Sequence, residues 1–113
     1  MEIKRRDIIL VSLDPVIGSE QGKTRPALVV QNDVGNKFSP TIIVAPLTSE
    51  IFSKVYPINV YVEKKYTGLD QDSTILLGQI RTIDKKRIIR KLGSLDKELM
   101  IKVDKAIMVS LDL

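Results

Sequence analysis

Short apolar runs alternate with polar breaks along most of this chain, and a helical period emerges only at its end. Asp7 to Leu13, Pro26 to Gln31, Thr41 to Leu47, Ile58 to Val62, Ser73 to Ile80 and Ile88 to Leu92 are strand-length, rich in Val and Ile, and bounded by turn residues. Beyond Ser94 or Asp96, either of which fits as a cap, Leu99, Val103, Ile107 and Leu111 recur at every fourth position, with Met100 and Ala106 widening the stripe. Glu98 in the first turn suits the positive end of such a helix. Shorter helical turns are expected at Asn32 to Asn36 and at Asp84 to Arg87. Six short strands and one long helix predict a mostly β chain with α (α+β), folded as a small, strongly curved sheet or barrel with helix on its flank. Ile101, Met108 and Val109 lie off the main helical stripe. Scattered exposure accounts for them, and so does a second contact surface such as a dimer interface.

Composition narrows the chemistry. At 113 residues the chain is expected to form one domain, residues 1–113, and its 43% hydrophobic and 28% charged content is that of an ordinary globular protein. Cysteine and histidine are both absent, which removes disulfides, thiol nucleophiles, zinc–thiolate sites and the commonest general base. No metal site and no cofactor are expected. Asp70 and Asp72 are too few ligands for an ion and read as turn and surface residues. Lys4-Arg5-Arg6 precede an apolar stretch, but Asp7 and Asp14 bound it at less than the length of a secretory signal, and no run reaches membrane-spanning length. A cytoplasmic protein with no membrane association is the expectation.

The net charge of +4 is concentrated. Arg81, Lys85, Lys86, Arg87, Arg90 and Lys91 face only Asp84 within one short segment, a local excess larger than that of the whole chain. A solvated surface and a polyanion site both fit this run. The polar loop from Asp14 to Lys23 leaves one strand and feeds the next through Arg25-Pro26. An arginine fixed beside Ser19, Glu20 and Gln21 is suited to gripping a phosphate and the charge that develops on it. Taken alone, Arg25 also reads as a surface ion-pair partner and Thr48 as a turn cap. The few rings (Phe38, Phe52, Tyr56, Tyr61 and Tyr66) offer limited base stacking. Phe52 and Tyr56 flank Lys54 as core anchors or as part of a loop that covers RNA.

Asp14-Pro15, Gly18-Ser19-Glu20-Gln21, Arg25-Pro26 and Val29 to Asn32 closely resemble the MazF/PemK family of toxin endoribonucleases. The resemblance continues in register through Asn36, Phe38-Ser39-Pro40, Thr48, Asp72-Ser73, Leu76-Leu77, Gln79 to Asp84 and Leu95-Asp96. It is nearest to the MazF-type toxins of Gram-positive bacteria. It implies a curved antiparallel SH3-like barrel with a C-terminal helix, a homodimer, and metal-independent cleavage of single-stranded RNA. Arg25 would be the phosphate clamp and the proton donor to the 5′-oxygen, and Thr48 the positioning hydroxyl. Ser19, Glu20, Gln21, Asn36, Lys54, Ser73, Gln79 and Arg81 would contact RNA, with Gln79 and Ser73 as base readers and Asn36 and Lys54 on nearby loops. The products implied are a 2′,3′-cyclic or 3′-phosphate and a 5′-hydroxyl. An antitoxin with an acidic C-terminal tail is the partner implied.

Two positions depart from the family pattern. Gly78 stands where an acidic residue usually precedes the glutamine, and Arg6 where a glycine often precedes Asp7. Two other readings remain open: a non-enzymatic, CcdB-like poison that binds DNA gyrase, and a basic RNA-binding barrel without catalysis. Neither needs Arg25 together with Thr48.

Overall fold

The computed structural model describes residues 1–13, 18, 19 and 23–113. Among these residues lie strands β1 (Asp7–Ser12), β2 (Thr24–Val29), β3 (Thr41–Thr48), β4 (Asn59–Val62), β5 (Ser73–Leu76), β6 (Arg81–Asp84) and β7 (Ile88–Ser94), and helices α1 (Asp33–Phe38) and α2 (Lys97–Leu111). The strands form an antiparallel sheet in the order β4-β5-β3-β2-β1-β7, with β6 paired to β3. The eight-residue β3 is shared: along one edge it pairs with β2, and along the other with β6 at Thr41 to Val44 and then with β5 at Leu47 and Thr48. β4 and β7 each have one strand partner, so the expected barrel is an open, curved sheet.

Alternation along the strands divides the core in two. Ile8, Leu28, Ala45, Leu47 and Ile75 face α2 and bury its Met100, Val103 and Ala106. Ile9, Val11, Ala27, Val29, Ile42, Val44 and Ile83 form the other cluster. β7 carries two irregularities against β1, between Ile8 and Ile9 and between Leu10 and Val11, which bend it around the sheet.

Several boundaries differ from the sequence reading. The run Ser73 to Ile80 breaks after Leu76 into a 3-10 turn over Leu77–Gln79, and a seventh strand follows at Arg81–Asp84. Only Ile83 is buried in that strand, so its backbone pairing with β3 defines it and no apolar alternation announces it. The turn expected at Asp84 to Arg87 is a 3-10 turn over Lys85–Arg87, capped by the Asp84 side chain on Lys86 N–H. Asn32 is the cap of α1, accepting from Gly35 N–H, and the helix runs two residues beyond Asn36. Asp96 is the cap of α2, accepting from Leu99 N–H at 2.8 Å. Leu111 of the expected stripe is 56% exposed.

Arg6 adopts a φ of 82°, a left-handed conformation that glycine takes without steric cost. Its backbone bonds Val29 O and Leu95 N, and its guanidinium Nε donates to Leu95 O at 2.9 Å. The side chain thus offsets the strain that its Cβ introduces.

Candidate active site and nucleic-acid interface

β2 and β3 run in a register that pairs Val29 with Val44, Leu28 with Ala45, and Ala27 with Pro46. The pairing ends at Ala27 and Pro46, so Arg25 on β2 and Thr48 on β3 each lie two residues beyond it, at the same end of the two strands. Arg25 also pairs with Val11 of β1, and Arg81 of β6 pairs with Val44 of β3. Cross-strand partners share a face. Arg25, Thr48 and Arg81 therefore occupy the face of the second core cluster, where its apolar positions give way to polar ones.

Thr48 is half-buried, and its Oγ1 accepts from Glu50 N–H at 3.2 Å. That contact fixes the oxygen and leaves the hydroxyl proton for another acceptor. Arg25 is half-buried as well. At the root of the loop between β1 and β2, Leu13 N–H donates to Lys23 O at 2.8 Å, with Lys23 in a left-handed conformation (φ 61°) just before β2. Arg81 Nη1 reaches Leu13 O at 3.4 Å and Arg87 Nη1 donates to Ser12 O at 3.2 Å. Both guanidiniums thus hold the carbonyls from which this loop departs.

The basic segment is therefore largely engaged within the fold. Besides Arg81 and Arg87, Lys85 Nζ donates to Asn36 O, and Lys91 Nζ lies 3.2 Å from the buried Asp7 carboxylate. Lys86 and Arg90 are exposed.

On the opposite face opens a cleft of about 580 Å3, lined by Leu10, Pro26, Leu47 and Leu92 with Ser49, Ser73, Arg90, the loop residues Gly68 to Gln71, and Arg25 at its margin. Leu47 and Ser49 contribute to it while Thr48 between them does not, as strand alternation requires. The two residues singled out for catalysis thus stand at the ridge between this cleft and the loop root.

The other expected contacts scatter. Ser19 is exposed on the loop, whereas Glu20 and Gln21 lie outside the described residues. Ser73 is 5% exposed and its hydroxyl donates to Gln71 O, so it lines the cleft as a wall. Gln79 is half-buried in the 3-10 turn that leads to Arg81. Asn36 is not on a loop. It is buried in α1, where its amide donates to Gln31 O at 2.9 Å and to the Asp33 carboxylate at 3.1 Å, and its oxygen accepts from Gln31 Nε2. Those bonds occupy the groups that a base contact would use. Lys54 is exposed between half-buried Phe52 and exposed Tyr56, whose rings meet edge-on at 6.1 Å beside Thr74 and Tyr61. The two rings pack on each other at the surface and anchor no core. Sequence reasoning took Asp70 as a turn and surface residue, counted Arg90 only within the basic run, and did not single out Gln71. They come from two distant segments, and only the β1–β7 pairing brings Arg90 beside Leu10.

Among the described residues no group of three or more Asp, Glu, His or Cys is placed to hold a metal ion, and no helix is long and apolar enough to cross a membrane.

The endoribonuclease EndoA of Bacillus subtilis (strain 168) is 52% identical over 113 residues, covering 100% of this chain and 97% of that protein. The Mycobacterium tuberculosis toxin MazF-mt6 has a similar structure, with a TM-score of 0.81, 26% identity, and 96% and 98% of the two chains covered. A mycobacterial endoribonuclease solved in complex with its cognate antitoxin superposes with a TM-score of 0.80 at 19% identity, over 98% and 96% of the chains, and shares the fold. The family model described as PemK-like, MazF-like toxin of type II toxin-antitoxin system matches residues 4–111. With the whole chain aligned to one such enzyme and the curved sheet matching the others, this protein belongs to the PemK-like, MazF-like toxins of type II toxin–antitoxin systems.

Proposed function

We propose that this endoribonuclease toxin cuts single-stranded RNA at Arg25 and Thr48, using the substrate's own 2′-hydroxyl as nucleophile. The position of both residues just past the last pair of β2 and β3, at one end of the two strands, supports the reading. In-line attack by the 2′-oxygen on phosphorus breaks the bond to the 5′-oxygen. The nucleophile gives its proton to solvent water as the new bond forms, and the 5′-oxygen gains one as it leaves. The products are a 2′,3′-cyclic phosphate, which attack of water on phosphorus opens to a 3′-phosphate, and a 5′-hydroxyl. Arg25 has a planar fork of charged donors suited to the dianionic transition state, and it stands as the proton donor to the leaving oxygen, its own proton being restored from solvent. Thr48 accepts from Glu50 N–H and directs its own hydroxyl proton to a phosphate oxygen. No step calls for a metal ion.

Removal of one preorganised donor to a developing anion costs about 10² to 10³ in rate. Arg25→Ala should therefore nearly abolish cleavage of a long unstructured RNA in EDTA while the thermal melt stays close to wild type. A folded Arg25→Ala protein that turns over normally sinks the assignment. Bases must be splayed out to be read, so the same sequence in a duplex should be spared.

The same reading includes two protein partners. Ile101, Met108, Val109, Leu111 and Leu113 are each more than half exposed on and beyond α2, an apolar surface suited to a second copy of this chain. An antitoxin with an acidic tail would compete with RNA for the positively charged ridge, as charge complementarity favours. Sedimentation tests the dimer, and titration of antitoxin peptide against bound non-cleavable RNA tests the competition.

A further inference from the structure

The cleft beside Arg25 has apolar walls and a polar rim, three of whose side chains are unengaged among the described residues. Leu47 is its floor at 2% exposure, with Leu10, Pro26, Leu69 and Leu92 around it. Its volume of about 580 Å3 falls within the range of small-ligand sites, roughly 300 to 1,000 Å3. At the rim stand Asp70, Gln71 and Arg90, all exposed, and none of their side chains makes a hydrogen bond or ion pair with another described residue. The rim is nonetheless held firmly. Thr67 and Gly68 N–H both bond Lys64 O, Leu69 N–H bonds the Thr67 hydroxyl at 3.1 Å, and Gln71 O accepts from Ser73. Leu10 pairs with Pro26 on one side and Arg90 on the other, so Arg25 and Arg90 flank the cleft from strands two spacings apart, about 9 to 10 Å.

We infer that this cleft is a nucleobase subsite that selects an amino-bearing base next to the scissile phosphate and rejects uracil, with Asp70 and Gln71 as the specificity residues. This rests on the reading of Arg25 as the phosphate clamp. A base is flat and apolar on its faces, which suits walls of leucine and proline. Its edge then meets the rim. The Asp70 carboxylate only accepts hydrogen bonds, so it favours an exocyclic amino group and opposes the two carbonyl oxygens of uracil. The Gln71 amide offers an acceptor and a donor side by side, the pattern that pairs with adenine. Arg90 meets a neighbouring phosphate, giving charge complementarity on the side away from Arg25. An acidic peptide side chain would suit the two arginines but would be repelled by the Asp70 carboxylate on the same rim.

The test uses the full-length protein, a long RNA with a randomised segment, and mapping of the 5′-hydroxyl ends. Wild type should exclude uracil at one position adjacent to the cut. Asp70→Ala and Gln71→Ala should admit uracil there, with turnover of the best sequence reduced less than about 10-fold. Asp70→Asn, which can donate to a uracil carbonyl, should enrich uracil above its wild-type level. Arg90→Ala should raise KM without lowering kcat and reduce the slope of binding against log salt by about 0.7. An unchanged base pattern in both Asp70→Ala and Gln71→Ala overturns the subsite, as does a wild-type enzyme that accepts uracil at every position beside the cut. Altered antitoxin affinity with an unchanged cutting pattern would assign the cleft to the antitoxin and also overturn it. These outcomes are separable from failure of the catalytic reading, which only a fully active Arg25→Ala protein would produce.

Discussion

Replacing Gly93 with alanine should destabilise the protein and disturb the cleft at once. Gly93 lies on β7 opposite Ile8, and a Cβ there would meet the Thr67 carbonyl oxygen at 2.8 Å, well inside an ordinary contact of 3.4 to 4 Å. Thr67 is 3% exposed, and its N–H is bonded to Lys64 O at 3.1 Å, so backbone must shift to make room. Overpacking of this kind costs about 1 to 3 kcal/mol. The lower conformational entropy of an unfolded alanine chain returns about 0.4 to 1 kcal/mol, leaving a net loss of about 1.3 kcal/mol between the centres of the two ranges. For 113 residues the unfolding entropy is about 0.24 kcal/mol/K, so the melting temperature should fall by about 4 to 8 °C. Gly78→Ala is the control. Its Cβ would meet Ile58 Cδ1 at 2.7 Å, but that is the far end of a half-buried side chain that can rotate, and the melt should move by less than about 2 °C. Differential scanning calorimetry on both variants reads the difference, and mapping of cut sites reads the cleft, because Thr67 carries the strand of loop leading to Asp70 and Gln71. A Gly93→Ala protein that melts within 1 °C of wild type would refute the steric argument.

Ile75 is fully buried, and its neighbours across the sheet are Leu47 and Val60, so Ile75→Ala should cost about 2 to 5 kcal/mol in urea unfolding. A loss below 1 kcal/mol would mean that the core relaxes around the gap. At Arg6 the usual order of substitutions should invert: glycine relieves the left-handed strain of about 1 to 2 kcal/mol, less its own unfolded-state entropy, and should be about 1 kcal/mol more stable than alanine. Equal stability of the two would remove strain from the account. The Asp33 carboxyl is held below its ordinary range chiefly by the Arg5 N–H at 2.7 Å and then by Asn36. A depressed folded-state value adds stability above the unfolded carboxylate range near pH 3.9, and that stability is lost as pH falls through the lower, folded value. Melting temperature should therefore decline less steeply below pH 4 in Asp33→Asn than in wild type, and parallel declines would discount this contact.

The strands rich in branched residues were legible because each buries alternate positions on a defined core, as Ile8 and Ile9 do on opposite faces. β6 was hidden because Arg81, Thr82 and Asp84 contribute little to either cluster, and only pairing with β3 makes them a strand. The continuous apolar run from Ser73 concealed the turn at Leu77–Gln79 for the opposite reason: buried Leu77 looks like strand wherever it sits. Arg25 and Thr48 were named from resemblance, but their placement at one end of β2 and β3 depends on a strand pairing that one-dimensional spacing does not encode. Asn36 misled because its polarity serves a buried contact with Gln31. The left-handed backbone at Arg6 was equally silent, although the glycine common at this position in the family carries its physical trace.

The sharing of β3 between neighbours on both edges sets an order of opening. Hydrogen exchange at its amides requires β2 to part on one side, or β6 and β5 on the other, whereas β4, β6 and β7 each can fray by leaving a single partner. Exchange should therefore be slowest in β3, approaching the rate of global unfolding, and fastest at β4, β6 and β7. Thr48 ends the most protected strand, while Arg90 stands on one of the least. The Thr48 hydroxyl would then keep its geometry through local openings that loosen the grip on the neighbouring nucleotide, which gives product a route of release without unfolding the site.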